Sequence, residues 1–477
     1  MINFKKWLSA SVAGVMIAVT GAGAAACKKD EDIPLDSSHG IADQSNLYGM
    51  CYLLEERSTE TLDIGNEVLL MKNLGVRTVR QWMHFPHFMS NPKTLKENCE
   101  ATKNMHDLLA ACEEAGMTNI GMNHHNFNAT GNTVAKPYKR DVSSGSAYVE
   151  WLNDYYDSWR TLVKEFPEVK YWEIDNEVNN SDFMWNGVSH DSYSVKEMAE
   201  IATDMFYYAS RAIHDENPAA QTIMGGLTEP KGLGMGNTAT FLQLLYDNIA
   251  SGEYGYFYGK EDVSAASENA DDYFQIACWH PYMASFFKKN FIEINKEYYD
   301  IILKNEKKHK KVFFTEIGWN DTNVNGEQNA VKYMEEMFDA CKQFPWLETV
   351  NIFKLYDVGK LNNWDSAYEV RFGLVHDPDY TRTYYKLSIE TESINIAADG
   401  RCIPGARVCN RKTTKNPQRK KRLFGGRKTL PPKKRDKWSI VWKMQAQKCA
   451  KKRKKKNGSR KKRAAGGIFS PGSGRCI

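Results

Sequence analysis

Trp172-Glu173-Ile174-Asp175-Asn176-Glu177 and Phe313-Phe314-Thr315-Glu316-Ile317-Gly318-Trp319 share one form. Each opens with apolar or aromatic residues, as a buried strand does, and each arrives at a glutamate where the strand should end. Working outward, runs of the same type occur at 47–52, 77–82, 119–123, 169–174, 222–226, 274–279, 312–315 and 350–355. Segments with helical spacing of apolar residues separate them, at 62–74, 95–115, 148–166, 195–215, 240–249, 291–307, 330–341 and 383–389. Gly75, Gly116 and Pro167 stand where three of these helices should stop, which suits residues that end a helix.

Strands alternating with helices of this length imply βαβ units and a parallel sheet. A doubly wound open sheet shares that alternation, but eight units is the number that closes. The residues after the first strand, Leu53-Leu54-Glu55-Glu56, are nothing like a glycine-rich nucleotide loop. The fold class expected is therefore α/β, a (β/α)8 barrel over residues 45–395, consistent with a usual size of about 250 residues plus insertions. In such a barrel the active site is built at the C-terminal ends of the strands.

The ends of the chain differ from this body. Lys5 and Lys6, the apolar stretch 7–20 and Gly23-Ala24-Ala25-Ala26 before Cys27 read as a signal peptide over 1–26. Small residues directly before a cysteine resemble the lipobox of bacterial lipoproteins, with Ala24 where leucine is usual. That resemblance implies lipidation at Cys27 and a membrane anchor. Lys28-Lys29-Asp30-Glu31-Asp32 looks like the export signal of Bacteroidota surface lipoproteins, so an outer-membrane lipoprotein, periplasmic or cell-surface exposed, is expected. Residues 27–44 then read as a polar tether. An ordinary secretory signal beside an unrelated cysteine is the alternative. No other stretch is long and apolar enough to span a bilayer.

Of the 64 Lys+Arg, 28 lie in 396–477, against 2 of the 59 acidic residues. The net charge of +5 thus divides into +26 for this tail and −21 for everything before it. Runs such as Lys451-Lys452-Arg453-Lys454-Lys455-Lys456 cannot bury a core, so the tail is expected to be disordered. Such an asymmetry ordinarily suggests nucleic acid or membrane. A nuclear role conflicts with an export signal, and no nucleic-acid partner is expected. Two readings stay open: a polycationic arm for anionic glycan or lipid surfaces, or an out-of-frame translation joined to a shortened gene. Beyond Cys27 the body carries Cys51, Cys99, Cys112, Cys278 and Cys341. Scattered and odd in number, they imply no disulfide framework, and Cys51 and Cys278 read as core.

The polar residues gather at the strand ends. Strand two closes Arg80-Gln81-Trp82, strand three Met122-Asn123-His124-His125, and strand four Asp175-Asn176-Glu177. Strand six closes Cys278-Trp279-His280-Pro281-Tyr282 and strand seven Thr315-Glu316. Two carboxylates at two strand ends are what hydrolysis of a glycosidic bond requires. In this arrangement the chain resembles the retaining glycoside hydrolases of clan A. The clan's usual Trp-Asn-Glu-Pro stands here as Asp175-Asn176-Glu177-Val178, keeping the Asn-Glu core and departing at both flanks.

The resemblance implies an enzyme, a glycosidase with Glu177 as acid/base and Glu316 as nucleophile. Arg80 and Tyr282 would support the nucleophile and Asn176 would hold the sugar 2-hydroxyl. His280 belongs to the clan's strand-six motif. His124, Trp319 and Tyr356 are further candidate substrate contacts, with His125 on the opposite side of its strand from His124. Trp82, Trp185, Trp279, Trp319 and Trp364 are candidate carbohydrate platforms or, equally, packed core residues. The charge of Glu316 is expected to raise the pKa of Glu177. No cofactor or metal is implied, and the expected partner is an oligo- or polysaccharide. Two alternatives compete: a surface glycan-binding lipoprotein with little or no catalysis, and a metal-dependent hydrolase using His124, His125, His280 and Glu316.

Overall fold

A computed structural model describes residues 42–54, 62–124, 139–184, 193–229, 237–258, 266–321, 323–357 and 371–375. All lie in the first of two units, Met1–Val408 and Cys409–Ile477. The signal peptide, Cys27, the helix at 383–389 and the basic tail fall outside the described residues, as do His125, Trp185 and Trp364.

Eight parallel strands close into a barrel: β1 (Tyr48–Cys51), β2 (Thr78–Trp82), β3 (Thr118–Asn123), β4 (Tyr171–Asn176), β5 (Gln221–Thr228), β6 (Ala277–His280), β7 (Val312–Ile317) and β8 (Leu347–Ile352). Each strand pairs with its neighbours in sequence, and β1 pairs with both β2 and β8, which closes the ring. Among the described residues the long helices are α1 (Ile64–Asn73), α2 (Glu100–Glu114), α3 (Ala147–Glu165), α4 (Val195–Glu216), α5 (Thr238–Ala250), α6 (Lys288–Glu306) and α7 (Glu327–Cys341). The expected (β/α)8 barrel is the fold observed.

Local chemistry sets the boundaries. Gly75 and Gly116 take φ of 80° and 78° just beyond α1 and α2, a left-handed turn that costs glycine little. Ser194 caps α4 by accepting from the Glu197 N–H, while the Glu197 carboxylate accepts from the Ser194 N–H. This reciprocal pairing satisfies two donors the helix cannot use itself. α2 starts at Glu100 rather than 95 because Thr94–Leu95 pairs with Met89–Asn91 as a small antiparallel hairpin.

Two strands are displaced from their expected positions. β6 begins at Ala277, since Ala270–Asp272 forms a 3-10 turn and the Phe274 N–H is spent on Ala270. β8 begins three residues early, at Leu347. Its second residue, Glu348, is a buried charge paired with Lys311 at 2.6 Å, so the strand start does not read as apolar.

The core lies between strands and helices. Trp159 of α3 meets Trp172 of β4 edge-on, with centroids 5.8 Å apart, and Phe85 packs edge-on against Trp159 at 5.5 Å. Both tryptophans are fully buried. Burying rings of this size contributes on the order of 2–3 kcal/mol each, and it holds the strand that carries Asn176 against its helix. Cys51, Cys99, Cys112, Cys278 and Cys341 are free thiols; Cys51 and Cys278 are buried, as core residues should be.

Candidate active site

Arg80 in the middle of β2 is fully buried and organises the barrel mouth. Its Nε donates to Glu173 Oε2 at 2.6 Å, and its Nη2 to Glu173 Oε1 and Asn176 Oδ1, each at 2.9 Å. Nη1 donates to Glu316 Oε1. A planar fork can serve three groups at fixed angles, which a lysine could not. Burial opposes the Glu173 charge, but Arg80 and then His280 more than offset it, so its carboxyl is held below the ordinary 4.5.

The backbone around Asn176 is unusual. Asp175 and Glu177 both adopt left-handed φ, at 75° and 44°, a conformation that costs non-glycine residues about 1–3 kcal/mol. Asp175 offsets part of this by accepting the Asn176 N–H at 2.7 Å. The kink places Glu177 just past the end of β4. There Asn180 Nδ2 donates to its Oε2 at 3.0 Å, and its Oε1 lies 3.2 Å from His280 Nδ1. Reciprocal bonds of 2.8 and 2.9 Å between Asn179 and Thr228 tie the turn to the end of β5.

His280, the last residue of β6, is fully buried between the two glutamates. Its Nδ1 lies 3.8 Å from Glu316 Oε2 as well, and its Nε2 lies 2.9 Å from Thr315 Oγ1. A Cβ at Gly226 would come within 2.1 Å of its Nε2, so glycine there makes room for the ring. Tyr282 completes the group, its hydroxyl donating to Glu316 Oε2 at 3.1 Å. Burial opposes a charged His280, but the charge of Glu316 and contacts with Cys278, Glu173 and Glu177 push its pKa well above the ordinary value.

The same contact corrects one expectation. Burial favours a neutral Glu177, yet His280, Asn180 and Thr228 together hold its carboxyl below the ordinary 4.5 rather than above it. A cationic imidazole in direct contact outweighs the more distant charge of Glu316.

The structure thus brings together Arg80, Asn176, Glu177, His280, Tyr282 and Glu316. One carboxylate oxygen from each glutamate and a ring nitrogen of His280 lie within 4.8 Å of one another. His124 sits one step aside, its Nε2 3.7 Å from the buried Asp175 Oδ1. Tyr356 is half-buried and forms a parallel bridge with Val375.

Trp319 requires a correction. It is 3 % exposed, donates to the Met283 carbonyl at 2.7 Å and packs edge-on against Phe286, so it is a packing residue and not a sugar platform. Trp279 is likewise core, bonded to Asn295 Oδ1 at 2.6 Å. Trp82 remains at the mouth, half-buried and stacked on His84. Among the described residues, the groups of side chains close enough to share a metal ion are Glu173, Cys278 and His280, and Glu177, His280 and Glu316; His125 lies outside the described residues. Sequence reasoning did not assign Glu173 or Thr315. The one available signal was Glu173 itself, a charge inside an otherwise apolar strand.

No curated protein matches the chain. Among solved structures it is similar to a family 39 glycoside hydrolase from Bacteroides cellulosilyticus, with TM-score 0.49 and 17% identity over 70% of this chain and 61% of that one. It is also similar to an exo-β-1,4-mannosidase from an Opitutaceae bacterium, with TM-score 0.47 and 16% identity over 72% and 59%. A β-glucosidase from Thermotoga maritima gives TM-score 0.46 and 13% identity over 72% and 96%. The chain therefore spans about three fifths of the length of the first two. The family model for Cellulase (glycosyl hydrolase family 5) matches residues 58–348, more than half of the chain and a span that includes Glu177 and Glu316. The chain belongs to glycosyl hydrolase family 5.

Proposed function

We propose that the chain is a retaining O-glycoside hydrolase that cleaves β-linked glycans by double displacement. The observation carrying this reading is the approach of Glu177 and Glu316, with an oxygen of each inside the same 4.8 Å group. Retaining enzymes hold their two carboxyl groups about 5–5.5 Å apart, whereas inverting ones leave ~6.5–9.5 Å for a water between them.

Glu316, aligned by Arg80 and Tyr282, attacks the anomeric carbon as the glycosidic bond breaks. Glu177 delivers a proton to the departing oxygen. In the second step Glu177 takes a proton from water, and that water displaces Glu316 with a second inversion. Asn176, whose Oδ1 is committed to Arg80, presents its amide N–H to the sugar 2-hydroxyl. The reading favours catalysis over mere glycan capture because Arg80 and His280 organise both carboxylates, which a binding surface has no need to do.

Proton NMR of the first-formed product anomer from an aryl β-glycoside tests it; the β-anomer is expected. Glu316→Gln should lower turnover by at least about 10³-fold with the fold intact. Glu177→Ala should spare substrates with very good leaving groups far more than natural ones. A first-formed α-anomer, or near-normal turnover by the Glu316 variant, defeats the assignment. We also propose that Cys27 is lipidated and anchors the enzyme to the outer membrane, where its substrate is an oligo- or polysaccharide.

A further inference from the structure

Thr315, one residue before Glu316, touches neither proposed reacting centre, yet its hydroxyl is a junction of three contacts. It donates to Glu173 Oε1 at 3.0 Å. Cys278 Sγ lies 3.0 Å from Thr315 Oγ1, and His280 Nε2 lies 2.9 Å from the same Oγ1. Glu173 is ionised by its two bonds from Arg80, and a carboxylate accepts only. The single Thr315 proton is therefore spent on Glu173. What remains on Thr315 is two lone pairs, which the Cys278 S–H and the His280 Nε2–H fill.

We propose that Thr315, anchored by Glu173, is a positioning residue that locks His280 in its Nε2-protonated form, so that His280 Nδ1 and Glu177 hold one shared proton for delivery to the leaving group. This rests on the functional reading given above. With Nε2–H committed, the 3.2 Å contact between Nδ1 and Glu177 Oε1 needs one proton between them. Either the imidazolium donates to the carboxylate, or a protonated Glu177 donates to neutral Nδ1. The groups facing His280 are Glu173, Glu177, Glu316, Cys278, Thr315 and Tyr282; Asn180 and Thr228 also face Glu177.

In the free enzyme the negative Glu316, 3.8 Å from Nδ1, keeps the proton toward His280. When Glu316 bonds to the sugar its charge is consumed, and His280 loses that support. The proton passes through Glu177 to the departing oxygen, leaving a neutral imidazole beside an ionised Glu177. That state then receives one proton from the attacking water, and the pair is restored.

Without the Thr315 hydroxyl, neutral His280 is free to carry its proton on Nδ1 and donate it to ionised Glu177. The pair then gives up its transferable proton at lower pH. Thr315→Val should move the alkaline limb of kcat/KM down by about one pH unit, the size expected of a lost hydrogen bond to a charged group. The same variant should lose kcat at least about tenfold on substrates with poor leaving groups and far less on activated aryl glycosides. Thr315→Ser should restore both.

Nitrogen-15 NMR of His280 in the unaltered protein measures the tautomer directly. A protonated Nε2 across the active pH range is expected, and a bare Nε2 overturns the lock whether or not any variant folds. An unmoved alkaline limb, or equal losses on both substrate classes, also overturns it. Complete absence of glycosidase activity with Nε2 still protonated would instead defeat the functional reading and leave the tautomer assignment standing.

Discussion

Glu173 shows how much of the site lies beneath the residues that meet substrate. It is fully buried, paired through two bonds with Arg80, and further bonded by Thr315 and the Gly226 N–H. Glu173→Gln keeps the shape and removes the charge, leaving a buried guanidinium short of one anion. Breaking such a pair costs about 3–5 kcal/mol. Because the folded carboxyl sits below its ordinary 4.5, its contribution is present in full above that pH and is lost as pH falls through the lower folded value. Urea unfolding should show the variant's deficit near neutrality and a smaller one well below pH 4.5; equal deficits would remove the ion pair as the cause. At this scale the strand-end residues were legible, since Arg80, Asn176, Glu177, His280, Tyr282 and Glu316 do meet. The depressed pKa of Glu177 was not, because it depends on a histidine 103 residues away. Nor was the burial of Trp319, which depends on Phe286 and Met283 closing over it.

Among the elements, α2 and the end of α3 are joined by His106, whose Nε2 contacts Glu165 at 3.1 Å and whose Nδ1 contacts Glu168 at 2.9 Å. Burial disfavours the charged ring, but both carboxylates raise its pKa above 6.5. Its stabilising contribution is therefore complete below 6.5 and lost as pH rises through the higher folded value. The side chain is 39% exposed, so solvent screening limits the effect to less than about 1 kcal/mol. Comparing His106→Gln with the unaltered protein should give a small stability difference in mild acid that vanishes in mild base. A constant difference would point instead to ring packing on Phe166, 4.6 Å away. Helix and strand order were readable from periodicity, and Gly75, Gly116 and Pro167 marked three helix ends. The starts of β6 and β8 escaped it, where a 3-10 turn and the paired Glu348 interrupt the apolar signal.

For the whole molecule, the proposed lipid anchor predicts that Cys27→Ser releases the protein from the membrane fraction. Intact mass of the mature protein should lose the diacylglyceryl increment; an unlipidated native protein would sink the anchor. Residues 396–477 carry 28 of the chain's 64 basic residues, so peptides from this segment in the purified protein would show that it is translated in frame. By itself the sequence determined the class of fold and put two glutamates at strand ends, because periodicity records burial and strand-end position records what faces the barrel mouth. The tertiary structure alone decided that Arg80 divides its guanidinium among Glu173, Asn176 and Glu316, and that His280 stands between the glutamates. Those relations depend on barrel closure, which brings β2, β4, β6 and β7 to one point, and separation along the chain does not encode such distances.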